Sequence, residues 1–289
     1  MQPLTAIPTA TLSIDTVLAT RARIAARRAA VYAFAALCIV AALALADAFD
    51  LARYRDAMRP LWSLAVDAFP PDFSRATHWA RPLLDTLTMS IAGTALGCLL
   101  ALPLAPLAAR TTARPMLGFA VRFALNVLRS VPGVIWGVLF VAAVGFGPLP
   151  GVLALATHST GMLGKLYAEV LEHVDPAPGA ALRSHGVSRL GVLRFSVLPQ
   201  VLPRLLDVSF YRWEHNVRAA TVLGLVGAGG LGLEITTAFH LFEYREASAL
   251  ILVVIALVGF INLLGARVRA RLLALDAQRD AGPNQASSA

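Results

Sequence analysis

Charge is scarce in this chain. Only 15% of its 289 residues are Asp, Glu, Lys or Arg, against 57% hydrophobic residues, whereas a water-soluble domain carries about 25% charged residues. Residues 29–46, 86–109, 130–164 and 247–266 contain none of the four. That pattern excludes an ordinary soluble domain. Cysteine is nearly absent too: Cys38 and Cys98 both sit in apolar runs and read as small hydrophobes, not as a disulfide or a metal pair. The six histidines show no H-E-x-x-H or comparable ligand spacing, and nothing resembles a catalytic triad. GMLGKL at Gly161–Leu166 comes nearest to a phosphate loop, but it lacks the leading glycine and the Ser or Thr after Lys165. Lys165 reads instead as a snorkelling lysine at the end of a span. The expectation is a chain without its own ATPase site, bound cofactor or metal.

What is present fits an all-α polytopic membrane protein. A bilayer-crossing helix needs about 20 mostly apolar residues, and six spans are expected near 29–48, 85–109, 116–145, 149–171, 202–226 and 247–266. GFGPLPG at 145–151 forms the turn between the third and fourth, and Pro132 is expected to kink the third. An even number of spans puts both termini on one side. Arg21–Arg28, Arg110 with Arg114, Arg183 with Arg189 and Arg194, and Arg267–Arg271 then share that side, which the positive-inside rule makes the cytoplasm. This clustering at the ends of apolar runs also argues against nucleic acid as the target of the +8 net charge.

The resulting organisation is a cytoplasmic tail (1–28), a retained first helix (29–48), an outer, periplasmic segment (49–84), a core (85–266) and a second cytoplasmic tail (267–289). Within the outer segment, LWSLAVDAF at Leu61–Phe69 looks amphipathic and suited to the membrane interface. The closing GPNQASSA has the composition of a disordered tail.

Two stretches carry functional information. The first is the inner segment DPAPGAALRSHGVSRLGVLRFSVLPQVLP, where a Pro-started helix at about 176–190 could dock on a soluble partner. Ala181, Leu182, Val187 and Leu190 would form its anchoring side; a plain connecting loop is the alternative. Ala180-Ala181-Leu182, then Gly186 and Leu198-Pro199, resembles the EAA loop of ATP-binding-cassette (ABC) importer permeases. The resemblance implies a coupling helix that docks on an ATPase through Ala180, Ala181, Leu182, Arg183, Gly186, Arg189 and Leu190. Ala180 stands where that signature usually opens on an acid, which leaves the polar contact to Arg183 or Arg189.

The second stretch is FYRWEHNVRAATVLGLVGAGGLG at Phe210–Gly232. Arg212, Glu214, Asn216 and Arg218 lie inside an apolar span, where ionisable groups are costly and face a partner or an aqueous path. Arg212/Asn216 and Glu214/Arg218 are i,i+4 pairs. They serve either as a structural ion-pair set or as a translocation path for an anion, with Arg218 the first choice. His158 and Arg129 complete the candidate path, His158 with a structural hydrogen bond as its alternative role. Gly227, Gly229 and Gly232 satisfy G-x-G-x-x-G, yet no strand is expected before them, as a dinucleotide site would need. They and Gly230 read as small residues that let helices approach closely and the chain turn back.

FPPDFS (Phe69–Ser74), LDTLTMSIAGTALG (Leu84–Gly97), LFVAAVGFGP (Leu139–Pro148), GVLALATHSTGMLGKL (Gly151–Leu166), VLPQVLP (Val197–Pro203) and the YRWEHNVRAATVLGLVGAGGLG block together resemble the phosphonate ABC transporter permeases. That resemblance implies a type I-like permease fold in the bacterial inner membrane, working as a homodimer among lipids. It implies two cytoplasmic ATPases that hold ATP and Mg, a periplasmic phosphonate-binding protein, and an outer gate near VGAGGLG. Phosphite, phosphate or another small oxyanion is the alternative substrate, since any tetrahedral anion favours the same arginines. A membrane oxidoreductase using the glycines and a secondary transporter with inverted repeats are more distant alternatives.

Overall fold

The computed structural model describes residues 14–280; the extreme N-terminal residues 1–13 and the end of the C-terminal tail, including GPNQASSA, lie outside the described residues. Every regular element among them is helical: α1 (Ile14–Leu45), α2 (Leu51–Asp67), α3 (Ala80–Ala108), α4 (Pro115–Ser130), α5 (Gly133–Val144), α6 (Pro148–Glu172), α7 (Pro176–Ser184), α8 (Arg189–Val192), α9 (Leu198–Leu223), α10 (Gly230–His240) and α11 (Tyr244–Asp280). The chain divides into two units, residues 1–64 and 65–289. In the first, α1 contributes an apolar stretch, Arg21–Leu45, and α2 buries none of its residues.

Among the described residues, three helices are long and apolar enough to cross a membrane: Arg21–Leu45, Ala80–Ala108 and Tyr244–Arg271. Two bent pairs raise the number to as many as five. The third expected span is one of them. It breaks between α4 and α5 by 86°, far more than a kink, because Val131 is extended and Pro132 cannot continue the helix. The other pair bends by 56° before α10. α6, counted as a span from its sequence, falls outside the set: Thr157, His158, Ser159 and Thr160 occupy its middle, and it buries a long run of small residues.

Small residues explain how the second unit packs without a hydrophobic drive between helices. Met89, Gly93, Gly97, Ala101 and Ala105 recur at four-residue steps on α3 and are buried. A Cβ at Gly97 would stand 2.6 Å from Ser159 Cβ, and one at Gly161 would stand 2.7 Å from the Arg129 backbone nitrogen. α6 is therefore clamped between α3 and α4 at backbone distance. Around this centre α9 and α11 complete the bundle.

One end of this unit is tied by polar bonds between the segment before α3 and the start of α11. Asp72 N–H donates to Arg245 O at 3.0 Å, and Arg75 bridges Glu243 and Glu246 at 3.4 and 3.0 Å. Ser74 N–H donates to the Asp72 carboxylate at 2.8 Å and holds its pKa below the ordinary value. These bonds fix the FPPDFS turn against the start of α11.

Candidate translocation site

The polar face of α9 turns inward where α6 offers hydroxyl and imidazole groups. Arg212 is 5% exposed and Asn216 fully buried. Arg212 Nε donates to Ser159 Oγ at 2.9 Å, and Asn216 Nδ2 donates to the same oxygen at 2.9 Å and to Thr94 Oγ1 at 2.8 Å. Arg212 and Asn216 thus form a unit through Ser159, not by direct pairing. Arg212 Nη2 also lies 2.6 Å from His158 Nδ1. An arginine can only donate, so His158 Nδ1 accepts and the ring proton sits on Nε2.

Beside this network lies a cavity of about 360 Å³ between α5, α6 and α9. His158, Arg212, His215 and Arg218 supply its polar wall; Val134, Leu155, Ala219 and Val222 contribute to the apolar one. No carboxylate lines it among the described residues. Arg218 Nη1 donates to Asn262 Oδ1 of α11 at 3.1 Å, which tethers the guanidinium at the cavity edge and leaves most of its donors free. Such a wall suits an anion: fork-shaped donors in surroundings of low dielectric give charge-assisted hydrogen bonds. His215 was not singled out from the sequence, although it stands three residues from both Arg212 and Arg218 and so shares their helical face.

Glu214 departs from the expected arrangement. It does not pair with Arg218 but with Arg269 of α11, which also approaches Asp207 at 3.8 Å. Glu214 points to the opposite side of α9, against Gly265, where a Cβ would collide with its carboxylate. It is an interhelical anchor outside the cavity. Breaking a buried pair costs roughly 3 kcal/mol, so Glu214→Ala is expected to lower the unfolding temperature of the detergent-solubilised protein. Glu214→Met combined with Arg269→Met should restore most of it, whereas a transport residue would show no such rescue. Arg129 also lies elsewhere. It donates to Asn126 Oδ1 at 3.0 Å and lines a second cavity with Arg110, Arg122 and Lys165.

The glycine block carries no nucleotide architecture: no strand precedes it among the described residues. α9 ends in a wide π-type turn at Gly224–Ala228, in which Gly227 takes φ +93°, and Gly229 and Gly230 follow at +83° and +70°. These positive-φ conformations bend the chain into α10 at little cost only for glycine. Gly147 N–H donates to Gly227 O at 3.1 Å, and Leu231 N–H to Thr86 Oγ1 at 2.9 Å. A Cβ at Gly232 would enter the Thr221 carbonyl, so α9 and α10 meet backbone to backbone.

The segment after α6 is not one helix over 176–190: α7 ends at Ser184, and α8 starts a second helix that runs on through Leu193–Val197 into α9. Asp175 caps α7 by accepting from Ala177 N–H at 2.9 Å, and Ser188 caps α8 through Gly191 N–H at 3.3 Å. Between them Gly186 adopts φ +76°. Gln200 Oε1 accepts from Asp175 N–H at 3.0 Å, which fastens the segment to α9. Ala180, Ala181, Arg183, Gly186, Arg189 and Leu190 are exposed. Leu182 and Val187 are half-buried, joined by Val187 N–H to Leu182 O at 3.1 Å, so the apolar side splits between the segment's own packing and its free face.

The family model described as binding-protein-dependent transport system inner membrane component matches residues 93–273. The chain is 54% identical over 201 residues to the phosphite transport system permease protein PtxC of Stutzerimonas stutzeri, covering 69% of this chain and 73% of that one. It is 42% identical over 118 residues to the putative cryptic phosphonate transport system permease protein PhnE2 of Escherichia coli, covering 41% of this chain and 97% of that protein. In fold it is similar to the inward-facing MetNI methionine ABC transporter, with a TM-score of 0.58, 21% identity, and coverage of 67% of this chain and 95% of that one.

Proposed function

The chain belongs to the family of binding-protein-dependent transport system inner membrane components, and on that premise we propose that its central cavity passes a phosphonate or phosphite anion inward across the membrane. It is a phosphonate-type permease, the membrane subunit of an ABC importer. One observation carries the substrate reading: two arginines and two histidines face a cavity that no carboxylate neutralises among the described residues. The names of the phosphite and phosphonate relatives point to the same chemistry. Phosphite has the added support of the 54% identical relative.

In this reading Arg218 and His215 meet the anion, while Arg212 is held by Ser159 and His158 as the fixed charge behind them. The glycine turn before α10 acts as the gate at the outer end. α7 and α8 face the cytoplasm, as do both termini, and dock on ATPase subunits that hold ATP and Mg. A second copy of the chain closes the path, lipid surrounds the pair, and a periplasmic binding protein delivers the anion. ATP-driven closure of the ATPases alternates the pair between inward- and outward-open states.

Growth tests this. A host that metabolises phosphonates and phosphite but cannot import them should grow on 2-aminoethylphosphonate or phosphite when the chain is expressed with its neighbouring ATPase and binding protein. Growth on phosphite alone would replace phosphonate as the substrate. No growth on either, with the chain inserted in the membrane, would overturn the reading.

A further inference from the structure

The second cavity, of about 350 Å³, opens between the end of α3, α4 and the last turns of α6. Arg110, Arg122, Arg129 and Lys165 line it together with Glu169 and Glu172. Only Glu169 is in an ion pair with a lining cation. Glu172 Oε1 accepts the backbone N–H of Arg110 at 2.7 Å, and Glu169 pairs with Lys165 at 3.4 Å. The three guanidinium groups have no carboxylate partner among the described residues. Arg122 donates to the Ala108 carbonyl at 2.7 Å and Arg129 to the Asn126 amide at 3.0 Å, both neutral acceptors.

Arg122 and Arg129 are also half-buried. They stand two turns apart on one face of α4, opposite the α6 face that carries Lys165 and Glu172. The cavity wall sets four cations against two carboxylates, and keeping that surplus of positive charge away from water is costly. An anion between the helices removes that cost, and the planar forks of several arginines match the oxygens of a phosphate group.

We propose that this cavity binds a phosphate group, separate from the translocation cavity and at the cytoplasmic end of the permease. Its position on that side rests on the orientation adopted above; Glu172 ends α6, the helix that leads into α7. Two sources supply the same chemistry: the headgroup of an anionic phospholipid in the inner leaflet, or free inorganic phosphate in the cytoplasm. Either would place a negative charge between α4 and α6, the pair that adjoins the α4–α5 break and hence the central cavity.

Binding alone tests the proposal, without transport or the periplasmic protein, so its outcome is independent of the import reading. The permease–ATPase assembly is placed in nanodiscs of phosphatidylcholine, with or without phosphatidylglycerol. Radiolabelled phosphate is titrated into the neutral discs, and retained phosphatidylglycerol is counted by native mass spectrometry in the others. The expected result is that at least one probe binds, equally in the wild type and in Arg218→Gln, which disables the central cavity. Arg110→Gln combined with Arg129→Gln should weaken that binding at least about tenfold, the value of one charge-assisted hydrogen bond. The milder Arg129→Lys, which keeps the charge and loses the fork, should give an intermediate loss and guards against misfolding of the double variant. Phosphate binding in neutral discs identifies a soluble ligand; retention of phosphatidylglycerol alone identifies a lipid. Absence of both, or binding that Arg218→Gln removes and the Arg110 and Arg129 variants leave intact, overturns the proposal.

Discussion

Arg218→Ala is expected to slow ATP-driven uptake of phosphite or phosphonate roughly ten- to a hundredfold, the value of one or two charge-assisted hydrogen bonds to the anion. The side chain is suited to this test because it does little else. It makes one hydrogen bond, to Asn262, and sits at the cavity edge. Arg212 is less informative, since it also holds Ser159 and His158 in the buried network and its loss would disturb α6. The control is Asn262→Ala, which releases the tether and keeps the charge. Uptake in that variant should fall only a few-fold. If Arg218→Ala and Asn262→Ala were equally impaired, the arginine would be a helix tether and not a contact for the anion.

Gly186→Arg should uncouple transport from ATP hydrolysis. Gly186 links α7 to α8 in a left-handed conformation, exposed, with nothing within 4 Å of the position a Cβ would take. An arginine therefore meets no steric clash inside the fold. It strains a linker by about 1–2 kcal/mol and puts a bulky charge on the face proposed to dock. Uptake should drop more than tenfold, as expected where a protruding group disrupts the packed centre of an interface, and binding-protein-stimulated ATP hydrolysis should disappear. Membrane insertion should be unaffected. Gly186→Asn separates shape from conformation, because Asn tolerates the left-handed region; it should retain most of the coupling. Wild-type uptake by Gly186→Arg would remove α7 and α8 from the docking surface.

The sequence disclosed what is set by composition and local chemistry. Long uncharged runs gave the membrane class, and intramembrane Arg212 and Asn216 announced a polar centre because their placement is costly. Partners distant in the chain were not legible. Glu214 looked equally placed to pair with Arg218, four residues on, but α11 brings Arg269 to it from 55 residues away. Arg129 looked like part of the path, yet the 86° break after it turns α4 and α5 apart, so Arg129 and Val134 line different cavities. A proline in a membrane span announces an interruption, but its angle depends on what packs on either side. The glycine pattern was ambiguous for a related reason: identical spacing serves a phosphate-binding turn after a strand and a bend between two helices. Only the preceding element distinguishes them.

The most direct test of the central cavity is substrate protection of a cysteine placed on its wall. Cys38 and Cys98 are free thiols and would first be replaced by serine. Val222→Cys then puts one accessible thiol on the cavity wall, beside Arg218 and His215. In the assembled transporter turning over ATP, phosphite or 2-aminoethylphosphonate should slow its reaction with a charged thiol reagent several-fold, and an uncharged solute of similar size at the same concentration should not. An unchanged rate of modification while uptake proceeds would show that the anion crosses by another route, and would contradict the account.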